Sequence, residues 1–170
     1  MQTLFSTHDI DARIDALARD IAHDLPSDFL LAPILTGAFV FAADLSRALH
    51  RHGADPLVDF LQLSSYGGAR ASSGVVTLTK DFSVEVKGKT VLLLDDVLDT
   101  GRSLHFGKRM VEERGAAAVK IGVLVKKLTG RAEDLYPDYI GFEAGAEDFL
   151  IGYGMDDNGR QRGVPFIARD

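Results

Sequence analysis

Apolar residues recur along the chain in two patterns, as short continuous runs and as stripes with helical spacing. The runs predict buried strands over 29–35, 56–63, 75–79, 90–96 and 119–127, with two short strands at 139–143 and 149–153. The stripes predict helices over 9–24, 38–50 and 102–114. We expect the first helix to begin at Asp9 or Asp11 as its N-cap. Strands that alternate with helices predict an α/β fold with a central, mainly parallel sheet.

The most apolar stretch, residues 29–45, raises the question of a membrane span. It is interrupted by Pro33, Thr36 and Gly37 and ends at Asp44, so it falls short of the roughly 18 uninterrupted apolar residues that a span requires. We interpret it as a buried strand, a tight turn and the start of a helix. We therefore expect no membrane contact.

Length and charge narrow the class of protein. The 170 residues suit a single domain, residues 1–170. The net charge of −6 argues against broad binding to nucleic acid, although a small local anion site remains compatible with it. The chain has no cysteine, which excludes disulfides and thiolate metal sites, and its N-terminus lacks the features of a signal peptide. We expect a cytoplasmic protein.

The stretch "VLLLDDVLDTGRSL", residues 91–104, combines carboxylates with a phosphate-type turn. After the apolar run, Asp95 and Asp96 are suited to accept hydrogen bonds from adjacent hydroxyls. From Asp99 to Ser103, backbone N–H groups, two hydroxyls and a helix N-terminus can meet one anion, and Gly101 lets the backbone approach it. The pattern is not a Walker A loop. Adjacent hydroxyls beside a phosphate indicate a ribose 5-phosphate as the ligand.

This stretch resembles the phosphoribosyl-diphosphate (PRPP) signature of type I phosphoribosyltransferases, and most closely that of the hypoxanthine-guanine members. Aspartate at the position of Asp99 is typical of enzymes that act on 6-oxopurines. The resemblance covers most of residues 29–167, because "LTGAFVF", "SSYGGARASSG", "VLVKK", "PDYIGFE" and "FLIGYGMDD" follow in the family's order. It implies the type I fold with a small C-terminal hood, about residues 137–170, and a mobile lid loop, about residues 64–74.

The resemblance also implies the reaction and its site. The phosphoribosyl group would pass from PRPP to hypoxanthine or guanine with Mg²⁺, and Asp99 would act as general acid/base at purine N7. Ribose and PRPP would contact Asp95, Asp96, Asp99, Thr100, Gly101, Arg102 and Ser103. Pyrophosphate would contact Thr36, Gly37 and Arg162. The lid would contribute Ser65 and Tyr66. The purine would contact Lys126, Phe149, Leu150 and Asp156. Asp156 would hold Mg²⁺, with Asp95 and Asp96 contributing indirectly.

Three details depart from the family pattern or stay open. Thr36 replaces a frequent lysine, and Asp95 stands where glutamate is common. Either Arg160 or Arg162 is able to reach pyrophosphate, and the spacing from Asp156 favours Arg162. The family often has a non-proline cis peptide before the position of Thr36, so we predict one at Leu35–Thr36. By resemblance we also expect a homodimer or homotetramer.

Other classes of protein share parts of this pattern. Asp99-Thr100-Gly101 also matches the aspartic protease triplet, but that site needs an all-β fold. A non-catalytic PRPP or nucleotide sensor would show an added DNA-binding domain or would lack the residues that contact the base, and neither feature is present. A phosphoribosyltransferase for xanthine or uracil is the enzymatic alternative. A uracil-specific, RNA-binding regulator of this family would lack aspartate at position 99. The preference among hypoxanthine, guanine and xanthine stays open.

Overall fold

The computed structural model describes residues 1–65, 75–132 and 134–170. Within these ranges the chain forms ten strands and three helices. In chain order they are β1 (Gln2–Phe5), α1 (Thr7–Asp24), β2 (Leu30–Leu35), α2 (Phe39–Arg51), β3 (Leu57–Val58), β4 (Leu61–Ser65), β5 (Val76–Lys80), β6 (Thr90–Leu98), α3 (Arg102–Glu113), β7 (Ala118–Lys127), β8 (Tyr139–Ala144), β9 (Leu150–Ile151) and β10 (Ile167–Arg169).

The larger sheet is mainly parallel, as the sequence predicts. Among the described residues its order is β5-β4-β2-β6-β7-β8, with β3 paired to β2 beside this path. Only the β4–β5 pair is antiparallel. Leu92 and Leu94 of β6 pack with α1 and α2 on one face, and Leu93 packs with α3 on the other. Burial on both faces explains why β6 reads as an unbroken apolar run.

A second, smaller sheet has the order β1-β10-β9 and is antiparallel. It corrects the hood predicted over about 137–170, because β8 belongs to the larger sheet and the N-terminal β1 joins the smaller one. The sequence pattern predicts neither β1 nor β10, because both are short and partly exposed. Phe5 stacks on Phe142 of β8, with ring centroids 4.2 Å apart, and so joins the two sheets.

Helix α1 begins earlier than predicted. Its N-cap is Ser6, not Asp9 or Asp11. The Ser6 hydroxyl accepts a hydrogen bond from the Asp9 amide, at 3.2 Å, and the Asp9 carboxylate accepts one from the Ser6 amide, at 2.9 Å. This reciprocal capping box satisfies two amides that the first helical turn leaves without partners.

The strand predicted over 56–63 is split into β3 and β4 by the buried Asp59. Asp59 accepts hydrogen bonds from the amides of Phe60, Ser83 and Val84. Burial would raise the pKa of Asp59, but these three donors outweigh it and hold the pKa below its usual value. The carboxylate thus fixes the chain that precedes β6.

The apolar stretch over 29–45 forms β2, a turn and the first half of α2, as interpreted from the sequence. In the ranges that the structure describes, no helix combines the length and the apolar character needed to cross a membrane.

Candidate functional site

The site lies where β2 and β6 end side by side. Their parallel register runs from Leu30 opposite Val91 to Pro33 opposite Leu94, so the turn after β2 meets the carboxyl end of β6. The helices that follow these two strands cover opposite faces of the sheet. Such a divergence opens a crevice at the carboxyl ends of the strands, which is the usual ligand position in open α/β sheets.

The turn after β2 is packed tightly against β6. The Leu35–Thr36 peptide is cis, as predicted. A Cβ built on Gly37 would overlap the carboxylate of Asp96, and one built on Gly154 would overlap the carbonyl oxygen of Gly37. Only glycine therefore fits at position 37 with Asp96 in this place. Gly154, with φ of +101°, is a residue of this site that the sequence does not reveal.

Asp95 and Asp96 lie within β6, which continues beyond the predicted end at residue 96 to Leu98. Both are partly buried. Burial and the neighbouring charge of Asp96 raise the pKa of Asp95 well above its usual value. Burial also raises the pKa of Asp96, and the nearby positive charge of Arg162 opposes that rise. Hydrogen bonds from hydroxyls, or a bound cation, would stabilise the ionised form of these two carboxyl groups.

The chain between β6 and α3 turns through Gly101, whose φ is +75°. A Cβ at this position would come within 3.2 to 3.4 Å of Ala132, Leu135 and Leu98. Helix α3 starts at Arg102, and the Arg102 amide lies 3.5 Å from the Thr100 hydroxyl. Thr100, Gly101, Arg102 and Ser103 are therefore brought together at a helix N-terminus, a position that favours an anion.

Asp99 meets cations from the chain at the end of β7. Its Oδ2 lies 3.3 Å from Lys127 Nζ, and its Oδ1 lies 3.5 Å from an Arg131 guanidinium nitrogen. The resemblance implies Lys126 as a purine contact, which stays a prediction, and the lysine that reaches Asp99 is Lys127. Successive side chains of a strand point to opposite faces, so one of two adjacent lysines faces Asp99 and the sequence does not say which.

A cavity of about 500 Å³ opens beside this group. Both Lys126 and Lys127 line it, together with Leu98, Thr129 and Leu135. Its volume is in the range of pockets that hold small organic ligands.

Arg162, in the segment between β9 and β10, interacts with three parts of the site. One guanidinium nitrogen donates to the Gly154 carbonyl at 2.7 Å, and another lies 2.8 Å from Asp156 Oδ1. Arg160 is exposed, and its backbone pairs with that of Asp157. Because the charge of Arg162 also acts on Asp96, the structure brings Arg162, and not Arg160, to the crevice.

The remaining predicted residues differ in how far they are exposed. Phe149 is half-buried and directly precedes β9, where Leu150 is buried and pairs with Arg169. Thr36 is exposed in the turn after β2. Ser65 is the exposed last residue of β4. Tyr66 and the rest of the predicted lid, to residue 74, fall outside the described residues.

The carboxylates suit a metal ion that arrives with its ligand. Across the described part of the chain, no three His, Asp or Glu side chains gather as a metal site of their own. The Asp156 carboxylate is paired with Arg162 and accepts a hydrogen bond from the Gly159 amide at 2.6 Å. Mg²⁺ is commonly held by one or two carboxylates plus substrate oxygens and water, and Asp95, Asp96 and Asp156 fit that donor set.

Comparison with known proteins agrees with this geometry. The phosphoribosyl transferase domain model matches residues 2–158. The hypoxanthine-guanine phosphoribosyltransferase of Bacillus subtilis is 33% identical over 168 residues, which cover 98% of this chain and 91% of the relative. The enzyme of the same name from Aquifex aeolicus is 35% identical over 169 residues, covering 98% and 93%.

Solved structures are similar over the same length. A hypoxanthine-guanine phosphoribosyltransferase from Bacillus anthracis has a TM-score of 0.89 and 35% identity, covering 100% of this chain and 98% of its own. A hypoxanthine phosphoribosyl transferase from Trypanosoma cruzi, studied for the effect of its C-terminal region on oligomeric state and activity, has a TM-score of 0.91 and 32% identity, covering 99% and 90%.

Proposed function

The chain belongs to the phosphoribosyl transferase family, and we propose that it transfers the 5-phosphoribosyl group of PRPP to hypoxanthine and guanine in purine salvage. The products are the nucleoside monophosphate and pyrophosphate. The proposal rests on three features that lie together at the ends of β2 and β6. They are the paired carboxylates, a turn suited to bind phosphate, and a separate aspartate with a lysine partner. The names and near-complete coverage of the relatives support the same substrates.

We propose that the ribose 5-phosphate binds with its phosphate at the turn of Thr100 to Ser103. The turn offers backbone N–H groups at the start of α3, which favour a doubly charged phosphate. Asp95 and Asp96 would accept hydrogen bonds from the ribose hydroxyls. The raised pKa values of both carboxyls support this role, because donors and a cation relieve the cost of holding two charges together.

The pyrophosphate would lie between the turn after β2 and the hood. The backbone of Thr36 and Gly37 is next to Asp96, and Arg162 supplies a positive charge from the other side. Mg²⁺, with Asp156 as its protein partner and Asp95 and Asp96 acting indirectly, would relieve negative charge on the leaving pyrophosphate. Binding of the metal by Asp156 would compete with the Asp156–Arg162 ion pair, which releases Arg162 toward the pyrophosphate.

The purine would bind against Asp99 and Lys127. In the transfer, purine N9 forms a bond to the anomeric carbon while the bond from that carbon to pyrophosphate breaks. The base must then lose the proton at N7, and Asp99 would accept it. The 6-oxo group lies on the same edge of the purine as N7, so its donor must come from the same face as Asp99. We therefore propose Lys127, in place of Lys126, as the donor to the oxo group.

Phe149 would stack on the purine and Leu150 would bind its edge through the backbone, with Asp156 nearby. Their place in and beside β9 supports these roles, because β9 precedes the Gly154–Arg162 segment that reaches the crevice. Ser65 and Tyr66 as closing lid residues, and a cytoplasmic location, stay predictions.

Self-association is also proposed. Phe39 at the start of α2 and Leu57 and Val58 of β3 expose large apolar surfaces, with Leu57 and Val58 each 46% exposed. A homodimer or homotetramer that covers them would remove this surface from water. Light scattering of the purified protein tests the point, and a monomer at micromolar concentration would contradict it.

The function is tested by comparing five bases as substrates. The purified protein is incubated with Mg²⁺, PRPP and each of hypoxanthine, guanine, xanthine, adenine and uracil, and nucleotide products are separated by chromatography. We expect turnover of hypoxanthine and guanine. Turnover of adenine or uracil without turnover of a 6-oxopurine would refute the proposal, and loss of PRPP binding in Asp96→Ala is expected alongside.

A further inference from the structure

A segment beyond β7, Thr129 to Arg131, is fastened to Asp99 at two points. The Thr129 hydroxyl donates a hydrogen bond to the Asp99 carbonyl oxygen at 3.3 Å and accepts one from the Arg131 amide at 3.2 Å. The Arg131 guanidinium lies 3.5 Å from the Asp99 carboxylate. One short segment thus contacts both the main chain and the side chain of Asp99.

The two carboxylate oxygens of Asp99 face different cations. Oδ2 faces Lys127, whose side chain is only 13% exposed, whereas Oδ1 faces Arg131, whose side chain is 53% exposed. Oδ1 is buried and accepts no hydrogen bond from any described residue. A buried carboxylate oxygen without a donor is costly, so the charge of Arg131 is its principal compensation in this part of the chain.

Lys127 and Arg131 would interact with Asp99 differently once a base binds. Under the proposed function, Lys127 donates to the 6-oxo group and its contact with Asp99 weakens. Asp99 must still be ionised in order to take the N7 proton. Arg131 is then the cation that remains on the opposite oxygen, and the Thr129 hydroxyl keeps its segment in register.

We propose that Arg131 and Thr129 are positioning residues for Asp99: Arg131 retains the charge and direction of the carboxylate while Lys127 binds the base, and Thr129 fixes Arg131. The inference rests on the proposed function and adds to it two residues that contact neither PRPP nor the reacting atoms. Among the described residues, the charged side chains that form ion pairs with Asp99 are Lys127 of β7 and Arg131 of the following loop.

The test compares Arg131→Gln, Arg131→Lys and the control Arg109→Gln. Arg109 is an exposed α3 residue with an ion pair to Glu113 at 3.8 Å, so its loss removes the same charge away from the site. kcat, KM for hypoxanthine and KM for PRPP are measured between pH 5.5 and 9. We expect Arg131→Gln to lower kcat about 10-fold, less than the roughly 100-fold or more that complete loss of acid/base help would cause. KM for PRPP should change less than about twofold, because the variant leaves the phosphate turn intact.

The conservative variant separates positioning from packing. Arg131→Lys keeps a cation beside Asp99 and should restore most of kcat, whereas Arg131→Gln keeps much of the side chain's length without its charge. Thr129→Val should lower kcat less, and adding it to Arg131→Gln should cause little further loss, because the two residues act as one unit.

An unchanged kcat in Arg131→Gln would overturn the inference, and so would a rise in KM for PRPP without a loss of kcat. Failure of the proposed function looks different, because the wild-type protein itself would then not convert a 6-oxopurine. Crystal structures of Arg131→Gln and Arg109→Gln need no activity. The Asp99 carboxylate should change direction in Arg131→Gln and keep its direction in Arg109→Gln; an unchanged direction in both would overturn the inference.

Discussion

Gly37 lies directly against the carboxylate of Asp96, with no room for a side chain between them. The contact joins the turn after β2 to the end of β6 and thereby fixes the pyrophosphate and ribose ends of the proposed PRPP site relative to each other. Gly154 of the hood packs against the other side of the same turn. The three parts of the site are thus in register only while position 37 has no Cβ.

Gly37→Ala should therefore impair PRPP binding. The new methyl group must displace Asp96 or the turn, and misplacement by about 1 Å is enough to cost on the order of 100-fold in kcat/KM. Steady-state kinetics with PRPP as the varied substrate measure the effect. Gly107→Ala is the matched control, because a Cβ there meets only ordinary contacts, the nearest at 3.5 Å. A kcat/KM equal to that of the control would contradict the packing argument.

Asp99→Asn should lower kcat by roughly 100-fold or more, because the amide cannot accept the N7 proton. Binding of PRPP should be retained, since the phosphate turn and the carboxylates of β6 are unchanged. Single-turnover rates and PRPP affinity by calorimetry give the two quantities separately. An equal loss of PRPP affinity would mean that Asp99 supports the fold of the loop and not the chemistry.

Lys127→Met and Lys126→Met test the assignment of the oxo-group donor with adjacent residues of the same type. Lys127→Met should raise KM for hypoxanthine about 10-fold or more, because a charged hydrogen bond to the base is lost. Lys126→Met should change it less than about threefold. KM values for hypoxanthine at saturating PRPP decide between them, and the reverse order would restore Lys126 to the role predicted from the sequence.

Arg162→Gln and Arg160→Gln test the pyrophosphate side of the site. Arg162 is held by the Gly154 carbonyl and Asp156, whereas the side chain of Arg160 is exposed. We expect Arg162→Gln to raise KM for PRPP about 10-fold, the size of one lost charged hydrogen bond. Arg160→Gln should leave KM nearly unchanged. Pyrophosphate inhibition constants provide an independent measurement, and equal effects of the two variants would contradict the assignment.

The carboxyl pair of β6 should make stability depend on pH. Burial and the Asp96 charge raise the pKa of Asp95 in the folded protein, while in the unfolded chain the value returns to normal. The folded state then binds this proton more tightly, so stability falls as pH rises from the ordinary Asp pKa through the raised one. Asp95→Asn lacks the charged form and should escape this loss.

We therefore expect Asp95→Asn to unfold at a higher temperature than the wild type at pH 8, by about 2–4 °C, with the advantage shrinking toward pH 4. Thermal circular dichroism across this range measures it, with the exposed Asp28→Asn as control. A constant difference at every pH would rule out the proton linkage. The same variant should bind PRPP more weakly if Asp95 accepts a ribose hydroxyl.

The sequence by itself determined the α/β class, the order of the main strands and helices, and the motif of residues 95–103, because these are encoded locally. Continuous apolar runs mark strands buried on both faces, and carboxylates followed by Thr-Gly-x-Ser mark a turn with its own chemistry. The cis peptide at Leu35–Thr36 was also predicted correctly, through the resemblance to the family. The capping box of Ser6 and Asp9 is also a local pattern, but the N-cap predicted from the sequence, Asp9 or Asp11, is wrong.

Tertiary structure alone decided the contacts between segments that are distant in sequence. The side of β7 that faces Asp99 carries Lys127 and not Lys126 as the ion-pair partner, since adjacent residues of a strand point to opposite faces. The pairing of β1 with β10 brings both ends of the chain into the smaller sheet, and the local sequence of two such short strands does not predict this contact. The packing of Gly154 on Gly37 and of the Thr129–Arg131 segment on Asp99 depends on long-range proximity, for which the local sequence contains no signal.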